Sequence, residues 1–379
     1  GEIVHHQKRK VARLFLRLGA RKGVVLRAPV VSRCRGGVGM FRGQVNPVTG
    51  RQEWVAEERD VESEDGDLSC ELARSQYGDM LHDTARNQLY CQAIEKAVSD
   101  MKAKGRAAHV LDIGTGTGLL SMMAARAGAA RVTAVEVMRP MVRIAREVIS
   151  ANGYSDTIRV VGKRSTDMTE NDMEGGRANI LVTEVFDTEL IGEGALITYS
   201  HALQNLMEPD CIVIPDSVTV NVQLVRSEFL WRHHKLIPEA LPGSVTVPAD
   251  WRKCPGAPSL WDLHAEQLQI PQQMNTLSDP THIAKFKLSD PGLSSDRSVQ
   301  EVVVPVSQGG TCHGVLMWWT ADMSEAELSM SPWDYTQWRD HWLQAVQLLP
   351  EPLNVKKGLW LGSREMLQVS ITGADWKGQ

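Results

Sequence analysis

The feature that most constrains this chain is the run from His109 to Leu120, HVLDIGTGTGLL. Its opening, Val110-Leu111-Asp112-Ile113, is short, apolar and suited to a buried strand. Glycines at 114, 116 and 118 break that strand, and a helical apolar pattern begins at Leu119. Strand, glycine turn and helix in succession make a ligand-binding turn at the carboxyl edge of a doubly wound parallel sheet. Glycine belongs there because backbone must approach the ligand closely and can take positive φ. A dinucleotide fingerprint has its third glycine at the sixth position of the loop, and here that position is Leu119. Asp112, two residues before the first glycine, suits an ammonium group better than a pyrophosphate. Glu136 closes the next apolar run, Val132–Val135, where a carboxylate can accept two hydrogen bonds from a ribose diol. An ammonium site and a ribose site without a phosphate site point to S-adenosylmethionine. A purely structural glycine turn and a nicotinamide cofactor are the alternatives.

Around this turn the pattern alternates. A helix is predicted over 68–102, followed by a strand at 109–113, a helix at 118–127 and a strand at 131–136. A helix at 138–151, strands at 158–162 and 179–184, and a helix at 194–207 complete the series. Such alternation gives a parallel, Rossmann-like sheet covered on both faces. Beyond Pro215 short strands among Pro and Gly turns take over, at 218–226, 283–288, 300–306, 314–320, 343–348, 359–361 and 367–371. They suggest an antiparallel barrel or sandwich. Residues 227–262, rich in Pro and Trp, read as an excursion from that second domain. The expected division is a basic extension (1–39), an N-terminal segment and linker (40–67), a cofactor-binding domain (68–215) and a barrel domain (216–379).

Charge sharpens the division. Residues 1–39 hold ten Lys and Arg against one acid, a net of +9, so the remainder carries −14 of the overall −5. The first stretch is expected to be disordered, with Met40 as the functional start. The acidic body argues against direct nucleic-acid binding and favours cationic partners. No apolar run reaches transmembrane length, so a membrane-spanning role is not expected. Six scattered cysteines, without a CxxC pair, suggest no metal site and no disulfide scaffold, and fit a reducing intracellular setting.

A second acidic feature lies downstream. The buried-strand pattern Asn179–Thr183 ends in Glu184, and Glu193 follows nine residues later after a turn-like stretch. A carboxylate at a strand's carboxyl end, on the edge that carries the glycine loop, lies where such sheets place their chemistry. If the loop folds back, two glutamates share one cavity and call for a cation. A planar guanidinium with five donors fits them. The other reading makes Glu193 an acid in the first turn of the following helix.

Six stretches decide between such readings: ARSQYGDMLHDTARNQLY (73–90), VLDIGTGTGLLSMMAARAGA (110–129), VTAVEV (132–137), RANILVTEVFDTELIGEGAL (177–196), QWRDHW (337–342) and the NPVTG…EW opening (46–54). Together they resemble the protein arginine N-methyltransferase family, most of all its monomethylating, type III branch. The resemblance implies S-adenosyl-L-methionine as cofactor and S-adenosyl-L-homocysteine as its product. Arg86 would pair with the cofactor carboxylate, with Met80 near the sulfonium. Asp112, Gly114 and Gly116 would line the amino-acid moiety, Glu136 the ribose, and Ser165 the adenine. Glu184 and Glu193 would grip the substrate guanidinium beside Trp342, and Asp83 and His341 would form an Asp–His pair. Two departures weaken a lid contact and the adenine contact: Leu68-Ser69-Cys70-Glu71-Leu72 replaces an aromatic-bearing helix start, and Ser165 stands where many relatives have an acid.

The expected product is monomethylarginine, on Arg-rich proteins such as histones and RNA-binding or splicing proteins, in cytoplasm and nucleus. Residues 227–262 take the place of the family's dimerisation arm, for a homodimer or pseudo-dimer. The type III branch joins two modules in one chain, and one is expected here. An inactive or partner-dependent cofactor-binding module and a small-molecule methyltransferase are the competing functions.

Overall fold

Strands of a parallel sheet are covered on both faces and need continuous apolar runs. The computed structural model describes residues 40–45, 52–57, 77–234, 261–265, 273–293, 302–333, 339, 341–357 and 368–369. The extension 1–39, the linker, most of the arm and the strand expected at 359–361 lie outside the described residues.

In chain order, β1 (Met40–Val45) and β2 (Gln52–Glu57) form an antiparallel hairpin. Helices α1 (Tyr77–His82) and α2 (Thr84–Ala103) follow. Where the sequence pattern predicts one helix, Asp83 interrupts it. Its side chain accepts the backbone N–H of Arg86 at 2.9 Å and caps α2, the role for which a short acidic side chain is favoured. Then come β3 (His109–Ile113), α3 (Leu119–Arg126), β4 (Arg131–Val135), α4 (Arg139–Ala151) and β5 (Ile158–Val161). The half closes with β6 (Ala178–Thr183), α5 (Ala195–Asn205) and β7 (Met207–Ile214). The last of these is absent from the sequence-based pattern.

These five strands form one parallel sheet in the order β5-β4-β3-β6-β7. β3 and β6 are buried along their whole length. From β3 the chain builds outward to β5 on one side, then crosses to β6 and β7 on the other. The crevice at the carboxyl ends of β3 and β6 is therefore the topological switch point, where ligands bind in such sheets.

The second half contains β8 (Ser217–Arg226), α6 (Glu228–His234), β9 (Trp261–Leu263), β10 (Asn275–Thr276) and β11 (Thr281–Lys287). It continues with β12 (Val302–Val303), β13 (Gly310–Asp322), β14 (Glu327–Ser329), β15 (Gln344–Val355) and β16 (Gln368–Val369). Seven of these strands make an antiparallel sheet whose spine is β10-β8-β13-β15-β9, with β11 on β8 and β14 on β13. Among the described residues this pairing runs as an open path. Of the strand predicted at 300–306, the described residues hold β12, paired with β16, and a bridge from Val306 to Ser278. One apolar cluster runs through both halves, from Ile94 and Leu181 to Trp319 and Val346.

Candidate active site

The glycine turn is built as its residue types require. Gly114 and Gly116 take φ of 76° and 55°, and the N–H groups of Gly114 and Thr115 both reach the Val135 carbonyl, at 2.9 and 3.0 Å. A side chain at Gly116 would have its Cβ 3.2 Å from the ring of Tyr77, which lies over the turn. Asp112 is buried at the end of β3. Its Oδ2 accepts the hydroxyls of Ser121 (2.6 Å) and Thr115 (2.7 Å), while Oδ1 is buried with no hydrogen-bond partner. Burial pushes its carboxyl up to about 6. Glu136, also buried, accepts the N–H groups of Met138 at 2.8 Å and Gly116 at 3.0 Å, one on each oxygen. Burial raises this group as well. Asp112 thus keeps one acceptor without a hydrogen bond, and Glu136 is held on the turn through the Gly116 N–H.

Asp112 makes the protein's stability depend on pH in a definite sense. Its folded value lies above the ordinary one of 3.8, so between pH 4 and 6 the folded state holds more protons than the unfolded state. Stability therefore falls as pH rises through that window, by about 3 kcal/mol for two pKa units. Asp112→Asn, which does not titrate, should gain on the unsubstituted protein by that order between pH 4 and 6.5. Urea midpoints of both proteins across the range check the trend, because the other carboxylates cancel in the difference.

Glu184 follows β6 at the same edge, with its side chain mostly buried. Its Oε2 lies 2.6 Å from Nη2 of Arg86, and the two side chains are 8% and 4% exposed. The Arg86 guanidinium sits 5.5 Å from the Tyr90 ring and 5.7 Å from the Trp342 ring. Its Nη1 reaches Asn87 at 2.8 Å, and its Nε is buried without a partner. Arg86, expected on the cofactor carboxylate, is here paired with Glu184. Glu193 is exposed and immediately precedes Gly194, the N-cap of α5, so it is not in that helix's first turn. Tyr77 marks where the carboxylates converge. Burial first, then the charges of Glu136, Glu193 and Glu184, hold its phenol well above the usual range.

The second sheet fastens the stretch between the two glutamates. The indole N–H of Trp342 donates to the Phe186 carbonyl and that of Trp319 to the Asp187 carbonyl, both at 2.9 Å. The two indoles meet edge to face at 4.9 Å. Trp342 is 3% exposed, so it holds the stretch through Phe186 rather than offering an open face to a substrate. Inside the stretch, Asp187 accepts the Gly192 N–H at 3.1 Å, and a side chain at 192 would collide with that carboxylate. Burial, with the Asp262 charge, pushes Asp187 up to about 6.

The expected Asp83–His341 pair takes a different form. Asp79 Oδ2 meets His341 Nδ1 at 2.5 Å and its backbone N–H at 3.1 Å. Asp83 Oδ2 lies 3.5 Å from His341 Nε2, outside a good hydrogen bond, and is instead bound to Nε of buried Arg339. Arg339 is the stronger cation, so it takes the carboxylate. Met80 is half-buried on α1, and Ser165 is buried where a 3-10 turn follows β5. Tyr77, Asp79, Trp319 and Arg339 are the site residues that the sequence reading passes over. Among the described residues no group of three or more His, Cys, Asp or Glu could hold a metal ion, and no helix is long and apolar enough to cross a membrane.

Fold and site together define a doubly wound methyltransferase domain joined to an antiparallel sheet. Residues 77–192 match the ribosomal protein L11 methyltransferase (PrmA) family, and residues 263–371 match the arginine methyltransferase oligomerization subdomain. The chain is 44% identical over 334 residues to protein arginine N-methyltransferase 7 of Gallus gallus and 43% over 336 residues to that of Rattus norvegicus. Each match covers 84% of this chain and 47% of the relative, so the chain spans about half the length of the relatives it matches. In fold it is similar to the Trypanosoma brucei PRMT1 enzyme-prozyme heterotetrameric complex with AdoHcy. The TM-score is 0.60 and the identity 22%, over 74% of this chain and 84% of that one. The chain belongs to the protein arginine N-methyltransferase family.

Proposed function

We propose that this chain transfers a methyl group from S-adenosyl-L-methionine to a guanidino nitrogen of protein arginine, giving monomethylarginine. The observation that carries the reading is the guanidinium already seated on Glu184, between two aromatic faces at 5.5 and 5.7 Å. A carboxylate that pairs with the chain's own arginine has the charge to pair with another.

The residues fit the cofactor. Asp112, with an unpartnered Oδ1, would hold the ammonium group, Gly114 and Gly116 would let backbone approach the amino-acid part, and Glu136 would accept the ribose hydroxyls. Ser165 would stand at the adenine end and Met80 near the sulfur. When bound, S-adenosylmethionine supplies an electrophilic methyl group. The chain's own part is to bind and orient. Glu184 and Glu193 turn one terminal nitrogen of the substrate toward the cofactor side and draw positive charge away from it. Indole hydrogen bonds from Trp319 and Trp342 fix the span between the two glutamates. His341 lies at the edge of the site with Asp79 on Nδ1 and no hydrogen bond on Nε2, where a proton can be received.

Basic, Arg-rich substrates suit the charge of −14 beyond residue 39. Assembly through the second half, with a second copy or a second module, suits the oligomerization-subdomain match at 263–371. Supplying S-adenosylmethionine with a radiolabelled methyl group and an Arg-rich histone peptide should label the peptide, and amino-acid analysis should recover monomethylarginine. Running the assay on monomer and dimer fractions from size exclusion tests the need for a partner. Label in free metabolites but not in the peptide would overturn the proposal.

A further inference from the structure

We propose that Asp79 is the positioning residue of His341, fixing the ring so that Nε2, and not Nδ1, is the nitrogen turned toward Asp83. The inference rests on the arginine methyltransferase reading above, since the role it assigns is to ready His341 for that reaction.

The geometry points to it directly. One carboxylate oxygen, Asp79 Oδ2, meets two nitrogens of the same residue: the backbone N–H of His341 at 3.1 Å and ring Nδ1 at 2.5 Å. An ionised carboxylate accepts hydrogen bonds only, so Nδ1 carries the hydrogen, and the tautomer follows. Holding main chain and ring together removes the rotation about the side chain that would let the nitrogens exchange places. Behind the ring stands Trp342, with centroids 4.6 Å apart. Nε2 is left buried without a hydrogen bond, 3.5 Å from Asp83 Oδ2. Asp83 is otherwise occupied, with Oδ2 on Arg339 and Oδ1 on the Arg86 N–H, so it does not orient the ring.

The test reads the ring nitrogens directly. In protein labelled with 15N-imidazole histidine, a strongly downfield proton on Nδ1 of His341 is expected, assigned by its disappearance in His341→Gln. Asp79→Ala should abolish it, Asp79→Asn should move it upfield, and Asp83→Asn should leave it in place. Persistence in Asp79→Ala, or loss in Asp83→Asn alone, would overturn the pairing. In parallel, Asp79→Asn should lower kcat for an arginine peptide at least about tenfold, within the range assigned to general acid–base groups. KM and S-adenosylhomocysteine affinity should hold. Normal kcat with the resonance gone would reduce Asp79 to a structural tie and overturn the role. A general collapse of cofactor binding in both Asp79 variants would do the same. Absence of any peptide methylation by the unsubstituted protein would overturn the reading on which the role rests, while the resonance would still judge the pairing.

Discussion

Glu193→Gln is expected to cut arginine-peptide methylation by at least about 100-fold, the scale of one preorganised electrostatic contact in a reacting site. The melting temperature should hardly move, because Glu193 is exposed and such substitutions cost little. Glu184→Gln should match it in activity and differ in stability. Its carboxylate and the Arg86 guanidinium are both buried, so neutralising one leaves an unbalanced charge, at roughly 3 kcal/mol or more. A radiometric assay, a thermal melt and calorimetric titration with S-adenosylhomocysteine separate the two effects. Near-normal turnover in Glu193→Gln would remove that residue from the site and with it the paired-glutamate reading.

The largest stability effect is expected at Arg339→Ala. Asp83 is 1% exposed and Arg339 9%, and they are bound to each other. Removing the cation leaves a carboxylate inside the protein, which costs about 3–5 kcal/mol when a buried pair is broken from one side. A second substitution, Asp83→Asn, should recover part of the loss, because an uncharged amide is far cheaper to bury than a lone carboxylate. Urea unfolding of the two single variants and the double variant gives the coupling. A loss below 1 kcal/mol would mean that the pair behaves like a hydrated surface bridge.

What the sequence made legible follows its physics. β3 and β6 stand out because parallel strands covered on both faces are unbroken apolar runs. Glu136 and Glu184 stand out because each closes such a run. β7 is hidden because, among the described residues, it pairs only with β6 at the end of the sheet, and its central residues are exposed. Met207-Glu208-Pro209-Asp210 therefore carries the charge and proline that edge strands tolerate. The break between α1 and α2 was open to reading, since Asp83 is a favoured N-cap residue, but the apolar period runs on past it. The partner of His341 was not open to reading. Asp79 lies 262 positions away and Arg339 lies 256 from Asp83, so only the packing of one half on the other decides which acid meets which cation.

The two indole hydrogen bonds onto the stretch between Glu184 and Glu193 carry a consequence for how the protein matures. The glutamates come from the parallel half, yet the donors that set their spacing come from the half made later in synthesis. A chain folded only as far as β7 would display the acids without the brace. Competence toward arginine should thus arrive last, as a check that the whole chain has folded, and fragments released early should leave arginine-bearing proteins untouched.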